Sequence, residues 1–496
     1  MSFPPDARRT HLVGWLRRLG ASADYLLVVA AALYLWWFSQ WRVTDDDEGV
    51  YLLAAQRVMH GELPYVHFAF PQLPGTPYLY GAAQAVLGSS MSAGRVLPWL
   101  MASLTLGVVF HVARKHAGRL AAVAALLLLV ANPLCPLWLT PAKSLAPALF
   151  FAMAASAVTL HAKSTARLAA GGALLGACIL CRATFLPLAL PLAWFAANAD
   201  IASSSRLRSA ARFGSGLAFG CSPALLLAVL SPSRFWFDNV TFHGLYPGGE
   251  RSWYYARSAL SELFGLGTIG SPFSTQNSLL AALVVGCVIG YSNLPGVARR
   301  YLALGGVTAL TAFIPVKPHA QYFVLVLPFL AVACAIALSR SSKPLLVGAT
   351  LLCIPAAISF CMSYAALDSP RRPAKEDEVA KAIDALAAGA SVSSSQPSYL
   401  VASRSPRVRA ADSPFTRIVG SRVSAEERER YKLLTDAELL SAAEGEAPPE
   451  VFASGSLTSP LVYYGLRVDG WKHTKTVNGV LLWTRRSAAR STDVQR

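Results

Sequence analysis

Four acidic side chains stand in a row at Asp45, Asp46, Asp47 and Glu48, directly after a hydrophobic stretch that ends LYLWWFSQW. Neighbouring carboxylates repel one another, so such a run needs either a structural or a chemical reason. The structural reason is helix capping, because an acidic residue at a helix N-terminus accepts backbone N–H bonds and complements the helix dipole. The chemical reason is general-base catalysis, in which a carboxylate takes a proton from an attacking hydroxyl. The residues alone leave both interpretations open.

The residues that follow the acidic run have helical spacing. Apolar side chains recur on one face from Val50 to Val58, and Gly61 suits the position just beyond a helix C-terminus. We therefore expect a helix over 48–60 that lies at the outer membrane interface. One of the first two aspartates would cap this helix.

The whole chain is strongly apolar. Of its 496 residues, 54% are hydrophobic and 14% are charged, whereas roughly 25% are charged in soluble proteins. This composition predicts a polytopic membrane protein. The formal net charge of +17 is spread over short basic clusters between apolar segments, as the positive-inside rule expects. We therefore expect no nucleic-acid partner.

Apolar runs of about 15–22 residues predict membrane-spanning helices. We expect about 11 to 13 spans, an odd number, with 76–88 as a re-entrant or juxtamembrane piece. The arginines of residues 1–22 predict a cytoplasmic N-terminus. The candidate spans are 23–42, 95–113, 119–132, 143–161, 167–181, 183–198, 210–231, 278–297, 300–316, 320–338 and 344–364.

The chain becomes polar from Asp368 onward. We predict a helix in EDEVAKAIDALAAGA, strands in SYLVA, EVFAS, LVYYGL and GVLLWTR, and a charged helix in SAEERERYKLLTDAELLSAAE. These elements indicate a small extracytoplasmic α/β domain. The predicted organisation is a cytoplasmic N-terminus at 1–22, a transmembrane domain at 23–366 with its first outer loop at 43–94, and the soluble domain at 367–496.

Outer loops of membrane proteins contain few cations, so the few that occur there are informative. The expected topology places Lys143, Arg182, Lys317 and His319 at helix ends on the same side as the acidic run. Cations in a dry site suit a phosphate group, although basic side chains also snorkel to the interface. Tyr322 could hold a sugar or phosphate, or it could be an interfacial aromatic residue.

Three stretches resemble the GT-C superfamily of membrane glycosyltransferases: DDDEGVYLLAAQRVMHGELPY with FPQLPGTPYLYG, ACILCRATFLPLALPLAW, and VKPHAQYFVLVLPFLAVACAIAL. They are most similar to bacterial members of glycosyltransferase family 39, related to protein O-mannosyltransferases and the lipid A aminoarabinose transferase. The resemblance implies that Asp47 and Glu48 are catalytic, with Asp47 as the base and Asp45 or Asp46 as alternatives. His67 stands where relatives often have a second acid, so it either contacts substrate or is an interfacial residue.

The resemblance also implies a reaction. A hexosyl or pentosyl group would pass from a polyprenyl-phosphate donor to a hydroxyl of a glycan, lipid or protein acceptor, with inversion at the anomeric carbon. The site would face outward from the plasma (inner) membrane. No cofactor and no metal ligands are expected, and a divalent cation at the acidic run is the alternative. Cys178 and Cys181 form a CxxC inside an apolar helix and are expected to be buried hydrophobic residues.

The outer loop 232–277 is rich in aromatics and contains Arg234, Arg251 and Arg257, which suits donor or acceptor binding or an aromatic belt. Two other functions compete with the transferase. A transporter or flippase of lipid-linked sugars predicts acids inside spans and broken helices in matched halves. An O-antigen-ligase type of transferase would rely on arginines in place of an aspartate base. The nearly acid-free spans and the acidic motif after the first helix favour the transferase with an aspartate base.

Overall fold

A computed structural model describes a helical membrane part followed by a small domain built around a β-sheet. The described residues are 24–201, 205–247, 252–263, 283–288, 291–315, 317–365, 369, 371–408, 413–440, 448–455, 458–468 and 470–485. The predicted cytoplasmic segment 1–22 lies outside them, as do residues 278–282 and 289–290 of the predicted span 278–297.

The described residues of the membrane part, between 24 and 365, are mainly helical. Its α-helices are α1 (24–41), α2 (Glu48–Met59), α3 (Gly75–Leu87), α4 (Met91–Gly94), α5 (Val96–Val130), α6 (Leu134–Leu139), α7 (Leu145–Leu160), α8 (Thr165–Cys181), α9 (Ala189–Ala197), α10 (Arg206–Leu230), α11 (Pro232–Trp236), α12 (Phe242–Leu245), α13 (Ser252–Leu263), α14 (283–288), α15 (Gly296–Thr311), α16 (Leu327–Ser341) and α17 (Lys343–Ala365). Short 3₁₀ turns cover Ala183–Leu188, Tyr291–Asn293 and Ala320–Leu325, and a π-helical turn covers Phe237–Thr241.

Several of these helices are apolar enough to lie in a membrane. By length and composition, three described helical segments could cross one, namely Met91–Val130, Arg206–Leu230 and Lys343–Ala365. Shorter apolar helices are Leu145–Leu160, Thr165–Cys181, Ala183–Ala197 and Leu327–Ser341. The predicted class, a polytopic α-helical membrane protein with a small C-terminal α/β domain, is confirmed. The number of 11 to 13 spans stays a prediction.

Helix α5 combines two of the predicted spans. The runs 95–113 and 119–132 join without a loop at Gly118, whose backbone has φ 81° and ψ −172°. This conformation is accessible almost only to glycine, so one residue breaks the helical path. The second half of α5, together with α7, α8 and α16, contributes to the main apolar core.

Helices α8 and α10 approach each other unusually closely. Gly172 and Gly176 of α8 face Gly216 and Gly220 of α10, and a Cβ at any of the four would overlap the opposite backbone. Small residues allow helices to pack backbone to backbone where lipid supplies no hydrophobic drive for association. The glycines of AAGGALLGAC and FGSGLAFG thus fix the position of α8, which ends directly before Arg182.

Helix α2 matches the helix predicted at 48–60, and Gly61 follows it with φ 84°. Every residue from Glu48 to Gln56 is buried within the protein, and the interfacial position of this helix stays a prediction. Helix α3 covers one side of α2, where Gln84 donates a hydrogen bond to the carbonyl of Leu52 at 3.0 Å. The C-terminal domain covers another side, so α2 is a core helix at the domain junction.

The C-terminal domain contains a four-stranded sheet in the order β1-β2-β4-β3. Strands β1 and β2 are parallel, and the other pairs are antiparallel. The strands are β1 (Val392–Ser394), β2 (Val451–Ser454), β3 (Trp471–Val477) and β4 (Val480–Arg485), and the helices are α18 (Pro373–Ala387), α19 (Pro414–Gly420), α20 (Ala425–Tyr431) and α21 (Pro460–Val468). Further 3₁₀ turns cover Pro397–Leu400 and Ala437–Leu440.

The structure corrects three of the predicted elements in this domain. SYLVA is a 3₁₀ turn rather than a strand. LVYYGL is helical, because Val462 and Leu466 are buried four residues apart while Leu461 and Tyr464 are exposed. The charged helix ends at Lys432, whose φ of 60° stops the helical path. Strand β3 was missed because its polar residues, WKHTKTV, are mostly exposed.

Candidate active site

Glu48 is the buried end of the acidic run. Its carboxylate is 0% exposed and forms a two-pronged ion pair with Arg95, at 2.6 Å and 2.8 Å. It also accepts backbone N–H bonds from Asp45 and Ala142, each at 2.8 Å. Arg95 in turn donates to the carbonyls of Ser39 and Arg42. Because a buried charge is tolerated only when it is paired and hydrogen-bonded, this network fixes the end of α1, the start of α2 and the turn before α7 in one arrangement.

Asp45 and Asp47 share a single ammonium group. The Nζ of Lys143 lies 2.9 Å from Asp45 Oδ1 and 2.6 Å from Asp47 Oδ2, and it donates to Gln321 Oε1 at 3.2 Å. The Lys143 side chain is only 6% exposed, whereas that of Asp47 is 27% exposed. Lys143 thus offsets the repulsion within the run and leaves one face of Asp47 open.

Burial acts differently on the two aspartates. It raises the pKa of Asp47, and the charge of Asp45 raises it further, against the opposing effect of Lys143. For Asp45, burial is outweighed by the charges of Lys143 and Arg42, so its pKa lies below the ordinary value. Asp47 is therefore the more basic carboxylate of the pair.

Asp46 points toward the C-terminal domain. Its Oδ1 accepts from Arg371 at 2.7 Å and from the Gln396 side-chain amide at 3.1 Å. Next to it, Gly49 lies so close to the turn at Pro397–Leu400 that a Cβ would overlap the backbone of Ser398. The acidic run therefore contacts two neighbours: the Lys143 ammonium group inside the membrane part and the C-terminal domain.

Two adjoining cavities meet at Asp47. The larger has a volume of about 640 Å³ and the smaller about 260 Å³, and both are also lined by Tyr51 and Tyr322. The larger cavity is further lined by Lys143, Arg182, Leu186, Pro187, Val240 and Ile314, among others. The smaller is further lined by Phe242, Tyr246, Lys317, His319 and Phe415. One carboxylate thus faces both a mainly apolar cavity that contains Lys143 and Arg182 and an aromatic cavity that contains Lys317.

The predicted cations converge on these cavities. Arg182 lies over the Tyr322 ring at 4.6 Å and donates to Ser144 Oγ at 3.2 Å. Its buried Nε has no hydrogen-bond partner among the described residues. Lys317 lies over the ring of Tyr246 at 4.9 Å. The arrangement offers charged donors to an anionic group on the side where Asp47 opens.

His319 packs against Tyr322, with ring centroids 6.0 Å apart. Burial and the neighbouring charge of Lys317 lower its pKa, which favours the neutral imidazole. A neutral imidazole can accept or donate a hydrogen bond without adding charge.

His67 lies away from the cavities. It is exposed, its Nδ1 accepts the backbone N–H of Leu63 at 2.7 Å, and it lines neither cavity. In this structure His67 closes a turn beyond α2.

The arginines of the predicted outer loop 232–277 differ in what the structure shows of them. Arg234 binds the backbone carbonyls of Val66 and Arg430 and so joins this loop to the C-terminal domain. Arg251 lies outside the described residues.

Sequence reasoning missed several residues of this site. Arg42 and Arg95 hold Asp45 and Glu48, although both fell at the edges of predicted spans. Gln72 donates to the Tyr51 hydroxyl at 2.7 Å, and Gln321 binds Lys143. A single basic residue at the start of a predicted apolar span was the sequence signal for Arg95. The two glutamines carry no comparable signal.

The described residues contain no cluster of three or more His, Cys, Asp or Glu side chains that could hold a metal ion. The Lys143 ammonium group lies between the carboxylates of Asp45 and Asp47 and forms an ion pair with each. Cys178 and Cys181 are buried free thiols. Independence from metals and cofactors stays a prediction.

Two solved structures of ArnT from Cupriavidus metallidurans are similar to this chain in fold, which confirms the GT-C resemblance at the level of the fold. The structure bound to undecaprenyl phosphate has a TM-score of 0.65 at 15% identity and covers 93% of this chain and 98% of its own. The apo structure has a TM-score of 0.64 at 15% identity, covering 94% and 99%. No family model matches the chain, and no curated protein matches it either.

Proposed function

We propose that this protein is an integral-membrane glycosyltransferase that moves a sugar from a polyprenyl-phosphate donor to an acceptor hydroxyl on the extracytoplasmic face. The observation that carries the proposal is the position of Asp47. It is a partly exposed carboxylate of raised pKa at the junction of two cavities that also contain Arg182, Lys317 and Tyr322. Such a junction gives separate entrances to a donor and an acceptor that react at one point.

The larger cavity suits the lipid-linked donor. Its apolar lining, including Leu186, Pro187 and Ile314, would contact the isoprenyl chain. Arg182 would bind the phosphate, since its buried Nε has no partner among the described residues. The ArnT structure of the same fold contains undecaprenyl phosphate, which supports a donor of this class for the present chain.

The reaction would proceed as a direct displacement. The acceptor oxygen attacks the anomeric carbon, the bond from that carbon to the phosphate oxygen breaks, and Asp47 takes the hydroxyl proton. The electron pair of the broken bond stays with the phosphate, whose charge Arg182 and Lys143 stabilise. Attack opposite the leaving group inverts the anomeric centre, as in inverting glycosidases with the acceptor in place of water.

Glu48 has a different role in this proposal. Its oxygens bind Arg95 and two backbone N–H groups, and it does not line either cavity. We assign it to positioning: it fixes the first turn of α2, from which Asp47 projects. Lys317, His319 and Tyr322 would contact the acceptor or the sugar from the smaller cavity.

The C-terminal domain would take part in acceptor binding. Phe415 of α19 lines the smaller cavity and packs against Tyr246 at 6.1 Å. Arg371 and Gln396 hold Asp46 beside the base. The domain therefore closes one wall of the site, on the side that we assign to the acceptor.

Asp47→Asn tests the proposal, with Asp46→Asn as the matched control. The exchange at residue 47 keeps the shape of the site but leaves an amide that cannot take the proton, so transfer should fall by about 10²–10⁴-fold. The control should stay within about threefold of wild type, because Asp46 contacts the outer domain. The measurement is transfer of labelled sugar from polyprenyl-phosphate donors by full-length protein in nanodiscs with bacterial envelope glycans as acceptors. Near wild-type transfer by Asp47→Asn would rule out this base.

A further inference from the structure

A third cavity lies at the other end of α2, outside the proposed active site. It has a volume of about 440 Å³ and separates the C-terminal end of α2 from the loop 402–407 of the C-terminal domain. None of its lining residues lines either of the other two cavities. The lining residues are Gln56, Arg57, Met59, His60, Glu62, Ser89, Ala402, Ser403, Arg404, Ser405, Pro406 and Arg407.

The lining has an excess of positive charge. Three arginines and one histidine face a single acid, Glu62. That acid binds Arg57 at 2.7 Å, so its charge is already compensated. Arg404 is exposed, and its guanidinium has no hydrogen-bond or ion-pair partner among the described residues. The net charge of the cavity therefore stays positive and favours an anion.

The walls of the cavity are held in place by buried polar contacts. Gln56 is 6% exposed, donates to the carbonyl of Val401 at 2.9 Å and accepts from Arg407 at 2.8 Å. The Gln56 amide thus orients the Arg407 guanidinium. Such preorganised donors bind an anion at low entropic cost.

Asp384 of α18 fixes the loop that carries Arg404. It accepts hydrogen bonds from the backbone N–H groups of Arg404 and Ser405 and from the hydroxyls of Ser403 and Ser405, at 2.6–3.1 Å. The oxygens of the Asp384 carboxylate are therefore hydrogen-bonded to the loop itself. The backbone at Arg404 is therefore set while its side chain stays available to a ligand.

We propose that this cavity is a binding site for a phosphate or carboxylate group, distinct from the site around Asp47. Arg404 and Arg407 are its anion-binding residues, and His60 lines the cavity beside them. Helix α2 separates the two sites by roughly 15–18 Å, given its twelve residues and a rise of 1.5 Å each. The anion belongs either to a soluble or acceptor-borne acidic group or to the headgroup of an anionic lipid. The site exists whether or not the chain transfers sugars, so binding is its direct readout.

Thermal unfolding of the full-length protein in zwitterionic nanodiscs tests the proposal, with inorganic phosphate added at constant ionic strength. Phosphate should raise the midpoint in a saturable way. Arg404→Glu should weaken the phosphate response by about 10–100-fold, and Arg404→Lys should retain most of it. Lys163→Glu is the matched control, since it makes the same change of charge at an exposed residue that lines none of the three cavities and should leave this response in place. An unchanged phosphate response in Arg404→Glu overturns the proposal.

Two further arms identify the source of the anion. Nanodiscs with phosphatidylglycerol should suppress the phosphate response of the wild type if a lipid headgroup fills the cavity, and Arg404→Glu should then bind less of that lipid. Glycerol 3-phosphate should replace inorganic phosphate in both nanodisc types if the natural ligand is a soluble or acceptor-borne group. Either result supports the site. Equal affinity of wild type and Arg404→Glu for every probe contradicts it, provided that both proteins unfold at the same temperature without ligand.

Discussion

At the scale of single residues, the acidic run divides into four separate tasks. Asp45 binds Lys143 and Arg42, Asp46 binds the C-terminal domain, and Glu48 binds Arg95. Only Asp47 combines an ion pair with an open face toward the cavities. Repulsion between adjacent carboxylates is tolerated because cations surround the run. This division of contacts agrees with the proposal that Asp47 is a base, because a base has to remain ionised beside a bound phosphate.

Lys143 should control the pH dependence of transfer. Burial raises the pKa of Asp47 and Lys143 opposes that effect, so Lys143→Met should raise this pKa further. A base acts only when ionised, so activity is lost as the pH falls through its pKa. The acid limb of the rate profile should therefore move to higher pH in Lys143→Met, with a lower maximum rate. Rate measured against pH checks this, with Lys163→Met as an exposed control. An acid limb that stays in place or moves down contradicts the assignment.

At the scale of elements, the site depends on where helices stop. Arg182 follows the last residue of α8, Lys143 precedes α7, and Asp47 precedes α2. Side chains at helix ends can point into a cavity between the packed helices. Glycines at the α8–α10 contact fix the position of α8 and so of its end at Arg182, and the break at Gly118 sets the direction of the second half of α5.

Gly118→Ala should destabilise the membrane part, because residue 118 has a φ that only glycine adopts without strain. The expected loss is about 1–3 kcal/mol of unfolding free energy. Gly107→Ala, the same exchange inside the helical part of α5 with open space around it, should be neutral or stabilising by up to about 1 kcal/mol. Unfolding in mixed micelles measures both. Equal stabilities of the two variants would show that the break carries no strain.

At the scale of the whole molecule, the C-terminal domain is part of the site's architecture. It buries one side of α2, binds Asp46 through Arg371 and supplies Phe415 to the smaller cavity. The tight contact at Gly49 leaves no room between the two parts. Domain and membrane part therefore form one unit around the proposed base, Asp47.

Gly49→Ala should separate the two parts, since its Cβ would overlap the backbone of Ser398. The expected results are faster proteolysis at the domain junction near residue 371 and an unfolding free energy lower by about 1–3 kcal/mol. Gly214→Ala in α10 is the control, because a Cβ there meets no neighbour. Timed digestion of both variants gives the comparison. Identical digestion patterns would show that the contact adapts without cost.

The sequence by itself determined the membrane class, the GT-C resemblance and helix α2, and it indicated that Lys143, Arg182, Lys317 and His319 lie on the same side as the acidic run. These features are local: hydrophobic period, composition and helix-end signals appear in contiguous residues. Only the tertiary structure decided which carboxylate faces the cavities and which are held by ion pairs and hydrogen bonds. That outcome depends on the positions of Arg42, Arg95, Arg371 and Gln396. These partners come from separate stretches of the chain, and burial and ion pairing act between residues that folding alone brings together.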